Sequence, residues 1–129
     1  KPRWSPEERK AAWRRLEAEF RPHISFDGVP YLEEGTRWQY QMHIFETPFY
    51  YIDYCLAQTA ALQFLLESRK DYKDAFRRYV RLLSQGGEQV FTDLLQEADL
   101  RSPFEEGALQ EVAREIEALL NSLGEGAGL

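Results

Sequence analysis

The chain has 129 residues, of which 43% are hydrophobic and 29% charged, and its formal net charge is −6. This length and composition predict a folded globular protein and exclude a disordered one. Because the acidic balance leaves no basic patch for phosphate groups, we expect no nucleic-acid partner. The single cysteine, Cys55, excludes an intrachain disulfide and favours a cytoplasmic protein.

The first predicted helix begins after Ser5, an N-cap serine that is followed by a proline and, three residues on, by a glutamate. Trp13, Leu16 and Phe20 then fall on one helical face. The loop that follows contains the only β signal in the sequence, a weak alternation that predicts a short hairpin near residues 24–32.

The most apolar part of the chain predicts its central helix. Thr47 and Pro48 form a second cap-plus-proline start, which predicts a helix over residues 48–67. This helix is apolar on nearly every side, so we expect it to be buried in a helical core. A membrane span over 48–66 is disfavoured because Asp53 and several polar residues interrupt it.

Three further amphipathic segments are predicted over residues 70–84, 88–98 and 102–123, with Gly124 ending the last and a frayed tail after it. In the first of them the apolar stripe is expected to face inward: Tyr72, Phe76, Tyr79, Val80 and Leu83. The arginines are expected to face outward: Arg77, Arg78 and Arg81. The sequence thus predicts an all-α fold of about five helices in a single domain, residues 1–129.

The sequence gives little indication of a metal site or of a catalytic thiol. Neither His23 nor His43 has the His-Glu-x-x-His spacing, so we expect the chain alone to bind no metal. A nucleophilic pair of Cys55 and His43 is conceivable. We disfavour it because Cys55 is expected to lie inside a buried apolar helix, where thiolate formation is unfavourable.

The remaining candidates are His43 and the tyrosines that follow it, Tyr50, Tyr51 and Tyr54. An aromatic stripe at helical spacing is most often core. The functional interpretation is a wall of phenol and imidazole donors that lines a polar cleft and stabilises a developing oxyanion, which is worth roughly 10²–10³ in rate per donor. Composition and spacing alone leave both interpretations open.

The stretch from Gly35 to Phe64, GTRWQYQMHIFETPFYYIDYCLAQTAALQF, closely resembles a region of the oligoendopeptidase F family of thimet-type zinc metallopeptidases. Looser similarity includes WSPEERKAAWRRLEAEF and HISFDG before it and SPFEEGALQEVAREIEALL after it. The resemblance implies an all-helical peptidase that cleaves short peptides in a deep channel. In that family the zinc is held by His-Glu-x-x-His and a downstream glutamate. Since this motif is absent here, the resemblance implies the C-terminal segment of a larger catalytic domain, inactive on its own.

The resemblance also implies roles for the four site residues. Tyr54 and Tyr51 would donate hydrogen bonds to the oxyanion of the tetrahedral intermediate, and His43 would bind the substrate backbone. Tyr50 would contact substrate as well, and it is the main rival for either tyrosine role. These assignments make His43, Tyr51 and Tyr54 the candidate catalytic residues.

Arg37 and Asp53 are expected to hold this wall in shape, since charges in an apolar stretch need partners. The expected partners of the chain are an oligopeptide substrate and the remaining part of the peptidase. In isolation the chain is expected to self-associate through faces of the helix at 48–66. The alternative is a free-standing, non-catalytic helical interaction module that shares the scaffold.

Overall fold

The computed structural model describes residues 3–125, and within that range it contains six α-helices, one 3₁₀ helix and no strand. The α-helices are α1 (Pro6–Phe20), α2 (Met42–Glu46), α3 (Ile52–Lys70), α4 (Tyr72–Ser84), α5 (Phe91–Glu97) and α6 (Ala108–Glu125). The 3₁₀ helix is Arg37–Tyr40. The all-α prediction is confirmed. The part of the predicted frayed tail that follows Glu125 lies outside the described residues.

The chain divides into two compact units, Lys1–Tyr51 and Ile52–Leu129, which we call the N-terminal unit and the C-terminal unit. The first contains α1, the 3₁₀ helix and α2, and the second contains α3 to α6. Each is described by itself below. The assignment of residues 1–129 to one domain stays a prediction.

The start of α1 follows the sequence signal. The Glu8 amide donates to Ser5 Oγ at 3.2 Å and the Ser5 amide donates to Glu8 Oε2 at 2.7 Å, which completes the capping box. Lys10 on this helix forms an ion pair with Glu34 at 2.5 Å. This pair fastens α1 to the end of the loop that follows it.

The predicted hairpin near residues 24–32 is wrong, because this loop folds as successive turns. The Val29 amide donates to the carbonyl of Phe26 at 2.9 Å, which closes a tight turn. Gly28 and Tyr31 have φ values of 75° and 78°, in the left-handed region. Two left-handed residues this close together prevent the extended pairing that a hairpin requires.

The helix predicted over residues 48–67 begins later, at Ile52, and continues to Lys70. The Tyr50 amide donates to the carbonyl of Thr47 at 3.2 Å, so the chain makes a turn here. Phe49 has a φ of 71°, which is incompatible with a right-handed helix. The cap-plus-proline signal at Thr47 therefore marks a turn and not a helix start.

The expectation that α3 is buried all round is wrong. Its buried residues are the polar Thr59 and Gln63, while Cys55 is exposed. Gln63 explains this orientation: its Nε2 donates to the Arg101 carbonyl at 3.0 Å, and its Oε1 accepts from the Arg101 amide at 2.9 Å. The Gln63 side-chain amide thus satisfies both backbone hydrogen-bonding groups of Arg101 in the loop. The side of α3 that carries Gln63 therefore faces inward. The burial argument against a reactive Cys55 therefore fails.

The core of the C-terminal unit is small. Leu95, Ala98 and Leu100 are buried together at the end of α5. Partly buried apolar side chains surround them: Ala60, Phe64, Leu82 and Phe91.

Arg78 was expected on the outer face of α4, and this prediction is wrong. Its side chain is only 9% exposed, and its Nη1 donates to the carbonyls of Ala98 and Asp99 at 3.0 and 3.2 Å. Its other nitrogens pair with Glu67 Oε2 at 2.8 Å and with Asp74 Oδ2 at 2.9 Å. Because the guanidinium caps the carbonyls at the end of α5, the side of α4 that carries Ala75 and Arg78 faces inward.

The last helix, α6, begins at Ala108 and not at Ser102, because residues 102–107 form turns and Gly107 has a φ of 79°. It continues through Gly124, which was expected to end it. Within residues 3–125, no helix combines the length and the hydropathy needed to cross a membrane.

Candidate functional site

Three of the four predicted site residues meet in the N-terminal unit. The ring of His43 lies 6.1 Å from that of Tyr50 in a stacked arrangement, and 5.0 Å from that of Tyr51 in a tilted one. His43 is half-buried on α2, whereas Tyr50 and Tyr51 are 48% and 50% exposed. The imidazole therefore forms the floor of an aromatic cluster whose phenols are accessible from solvent.

The turn before the tyrosines brings them back toward His43. Phe49 adopts a left-handed backbone at a φ of 71°, and its side chain is 95% exposed. For an aromatic residue, this backbone conformation costs on the order of 1–3 kcal/mol. The reversal lets two consecutive tyrosines follow α2 and contact a histidine on that helix. Sequence reasoning missed Phe49, and no local signal identifies it.

An open groove of about 500 Å³ adjoins the aromatic cluster. Tyr51 is a member of the cluster and also lines the groove. Its walls include the apolar side chains of Trp13, Leu16 and Phe20, which α1 presents on one face. Three charged side chains also line this groove: Glu17, Arg21 and Arg37. The groove thus combines a large apolar wall with one phenol, two guanidinium groups and one carboxylate, and such a wall with a few polar groups is typical of sites that bind organic ligands.

Arg37 is held by Glu17, with a distance of 3.7 Å between Nη1 and Oε1. The two side chains are 31% and 11% exposed. Such a partly buried pair costs free energy to break, because it leaves the Glu17 carboxylate desolvated. The contact joins the 3₁₀ helix to α1, in agreement with the expectation that Arg37 has a structural role.

Tyr54 and Asp53 lie in the first turn of α3, in the C-terminal unit. Both are exposed. Asp53 is well placed at a helix N-terminus, where a negative charge interacts favourably with the helix dipole. Tyr51 precedes the first residue of α3, so it does not share a helical face with Tyr54 as its spacing suggested.

The residues that the structure describes contain no candidate zinc site. Over that part of the chain, no three His, Cys, Asp or Glu side chains are grouped so that they could hold a metal ion. The donor set at the aromatic cluster is one imidazole and two phenols, which does not match the ligand sets of zinc sites. A zinc ion would need ligands from outside this part of the chain.

The chain is similar to three solved peptidase structures. It shares 50% identity and a TM-score of 0.84 with PZ peptidase A solved with an inhibitor. It shares 45% identity and a TM-score of 0.84 with a protein assigned as an oligoendopeptidase F. A protein with the same assignment from Bacillus anthracis str. Ames gives 41% identity and a TM-score of 0.68.

These similarities involve nearly all of this chain and a small part of the others. Each covers 94% of this chain but only 22%, 21% and 18% of the respective peptidase chain. No protein-family model matches the sequence, and no curated protein does. Sequence identity and fold agree over almost the full length of this chain, which is therefore similar to a segment that makes up about a fifth of the oligoendopeptidase F and PZ peptidase chains.

Proposed function

We propose that this chain is the substrate-binding and oxyanion-stabilising C-terminal segment of a zinc-dependent oligopeptidase that hydrolyses short peptides. What supports the proposal is the cluster of His43, Tyr50 and Tyr51, in a chain that is 41–50% identical to segments of peptidases. One of these peptidases was solved with an inhibitor. The segment would be inactive without the rest of the peptidase, because its sequence contains no His-Glu-x-x-His motif, whose residues hold zinc and activate a water molecule.

The phenols would act on the scissile carbonyl. As water attacks a peptide bond, negative charge develops on the carbonyl oxygen, and an O–H donor fixed in position stabilises this charge. A phenol suits this role because it donates without carrying a charge of its own. We assign the donation to Tyr51 and Tyr54, with Tyr50 as the alternative donor in the N-terminal unit.

His43 would bind and orient the substrate. An imidazole donates to a backbone carbonyl or accepts from a backbone amide, according to its tautomer. Its two ring contacts limit its rotation, which preorganises it for one backbone position. His43 thus positions the peptide while the phenols stabilise the charge.

The groove beside Tyr51 would receive an apolar side chain of the peptide. Its walls of Trp13, Leu16 and Phe20 bury such a side chain favourably, at about 25 cal/mol per Å² of apolar surface removed from water. Zinc would be held by residues outside this chain. A cytoplasmic location fits the lone cysteine.

The experiment is the variant Tyr54→Phe in the complete polypeptide whose reading frame contains this sequence. We expect kcat on a short peptide to fall about 10²-fold while the far-UV circular dichroism spectrum is unchanged, because only a hydroxyl donor is lost. The matched control is Tyr40→Phe, the same change at an exposed tyrosine of the 3₁₀ helix, which should keep full turnover. Wild-type turnover in the Tyr54 variant would remove this residue from the mechanism.

A free-standing interaction module remains the second candidate. The exposed apolar side chains of α4 favour it, since such patches mark protein interaction sites. The reading frame upstream of Lys1 separates the two candidates. A His-Glu-x-x-His helix encoded there supports the peptidase, and a gene that encodes only this domain supports the module.

A further inference from the structure

A stripe of large apolar side chains runs along the outer side of α4. Its five members are between 41% and 66% exposed: Tyr72, Phe76, Tyr79, Val80 and Leu83. Their spacing of three and four residues places them on one helical face over about three turns. We call this set the α4 stripe. A contiguous apolar face of this kind is unusual on the surface of a complete protein.

The orientation of α4 is fixed from its other side. Ala75 and Arg78 are its buried residues. Arg78 is bound to the carbonyls of Ala98 and Asp99 and to Glu67, so the helix does not rotate without breaking these bonds. The α4 stripe therefore lies away from these bonds, and Tyr79 at its inner border packs edge-on against Phe64 of α3, with ring centroids 5.5 Å apart.

One edge of the α4 stripe is basic. Lys73 and Arg77 follow Tyr72 and Phe76 along the helix, and both are exposed. Arg77 is paired with Asp74, yet 78% of its side chain is open to solvent. A second copy of α4 laid against the stripe would bring these cations together at the edges. A partner surface with acidic groups along its edge would complement Lys73 and Arg77 better than a second copy of α4 would.

The length of the related chains indicates what covers the stripe. This chain corresponds to 22% of PZ peptidase A, so about four-fifths of that peptidase has no counterpart here. We propose that the α4 stripe docks an apolar, acid-edged helical surface from the remaining part of the same peptidase polypeptide. This inference rests on the proposed function, since it needs that remaining part to exist.

The test compares cysteine labelling in two polypeptides, the 129-residue chain and the complete polypeptide of its reading frame. Val80→Cys is introduced into both in a Cys55→Ser background, because Cys55 is itself exposed. We expect the cysteine at position 80 to react with a maleimide at least about 10-fold more slowly in the complete polypeptide. In denaturant the two should react at the same rate, which controls for intrinsic reactivity.

Three outcomes would overturn the proposal. Equal labelling rates in the two folded polypeptides would mean that nothing covers the stripe. Protection in the 129-residue chain that grows with concentration, without extra protection in the complete polypeptide, would identify a second copy as the occupant. A reading frame with no further residues would remove the proposed partner.

The result is independent of the catalytic test. Val80 is not one of the proposed site residues, so protection at position 80 is expected whether or not Tyr54→Phe lowers turnover. Full turnover of the Tyr54 variant with protection at position 80 would refute the catalytic role and keep the docking surface. Reduced turnover of the Tyr54 variant without protection at position 80 would refute the docking surface and keep the catalytic role.

Discussion

The ring of Tyr51 lies 5.0 Å from that of His43, with the two planes inclined at 50°. The tyrosine thus has two separable properties, a ring that packs on the imidazole and a hydroxyl that can donate a hydrogen bond. Substitutions that remove one or both of them distinguish a catalytic tyrosine from a merely structural one.

We predict that Tyr51→Phe in the complete polypeptide lowers kcat about 10²-fold and leaves KM within a few-fold, because it removes a donor to the transition state and keeps the ring. Tyr51→Leu should lower kcat similarly and raise KM as well, since His43 loses its ring contact with Tyr51 and keeps only part of its packing. Steady-state kinetics on one short peptide separates the two effects. An unchanged kcat in the Phe variant would mean that the hydroxyl donates to no transition state.

Gly35 should be the least replaceable glycine of the N-terminal unit. It has a φ of 81°, and an added Cβ would lie 2.7 Å from Cγ of Arg14 and closer still to the carbonyl oxygen of Lys10. Backbone strain and overpacking add, so we predict that Gly35→Ala lowers the free energy of unfolding by at least about 2 kcal/mol. The control is Gly28→Ala, with a φ of 75° but nothing within 4 Å of the added Cβ.

The measurement for this pair is denaturant unfolding followed by tryptophan fluorescence. Trp4, Trp13 and Trp38 are all in the N-terminal unit, so the signal reports on that unit. The control should lose about 1 kcal/mol from its left-handed backbone alone. Equal losses in the two variants would show that the close approach of α1 to Gly35 has no energetic consequence.

Arg78 should hold the C-terminal unit together. We predict that Arg78→Met lowers the free energy of unfolding by about 3 kcal/mol, because it removes the guanidinium donor from two carbonyls and leaves the Glu67 carboxylate with Lys70 as a donor but without Arg78. Arg77→Met is the neighbouring control and should change stability by no more than about 0.5 kcal/mol. Denaturant unfolding followed by far-UV circular dichroism measures both variants. A loss for Arg78→Met as small as the control's would contradict the structural role.

The contrast between α1 and α4 explains which parts of the fold are predictable from sequence. The start of α1 is encoded locally by Ser5 and Glu8, and the structure has it there. Periodicity likewise identifies which residues of α4 share a face. It does not identify which face turns inward, because this depends on the carbonyls of Ala98 and Asp99, some twenty residues away along the chain.

The candidate site is likewise predictable from sequence only in its residues and not in their arrangement. Residue types and the resemblance select His43, Tyr50 and Tyr51, and the structure brings these three rings together. The turn that does so depends on the left-handed backbone of Phe49. Phenylalanine has no preference for this conformation, so the sequence predicts a helix in its place.

Glu67 predicts how stability depends on pH. The hydrogen bond from Lys70, followed by that from Arg78, holds the pKa of the Glu67 carboxyl below its ordinary value of 4.5. In the unfolded chain this carboxyl takes up its proton near that ordinary value, whereas in the folded chain it resists protonation. Its contribution to stability is therefore complete above pH 4.5 and is lost as the pH falls through the lower folded pKa.

We predict that Glu67→Gln reduces stability at neutral pH and flattens the fall in stability below about pH 4.5, because the linked proton is gone. Lys70→Met should flatten it partly, since Lys70 provides the largest contribution to the shift. The control is Glu117→Gln, at an exposed position of α6, which should keep the wild-type slope. Denaturant unfolding of each variant across the acid range supplies the curves. A wild-type slope in the Glu67 variant would show that this carboxylate makes no contribution to acid unfolding.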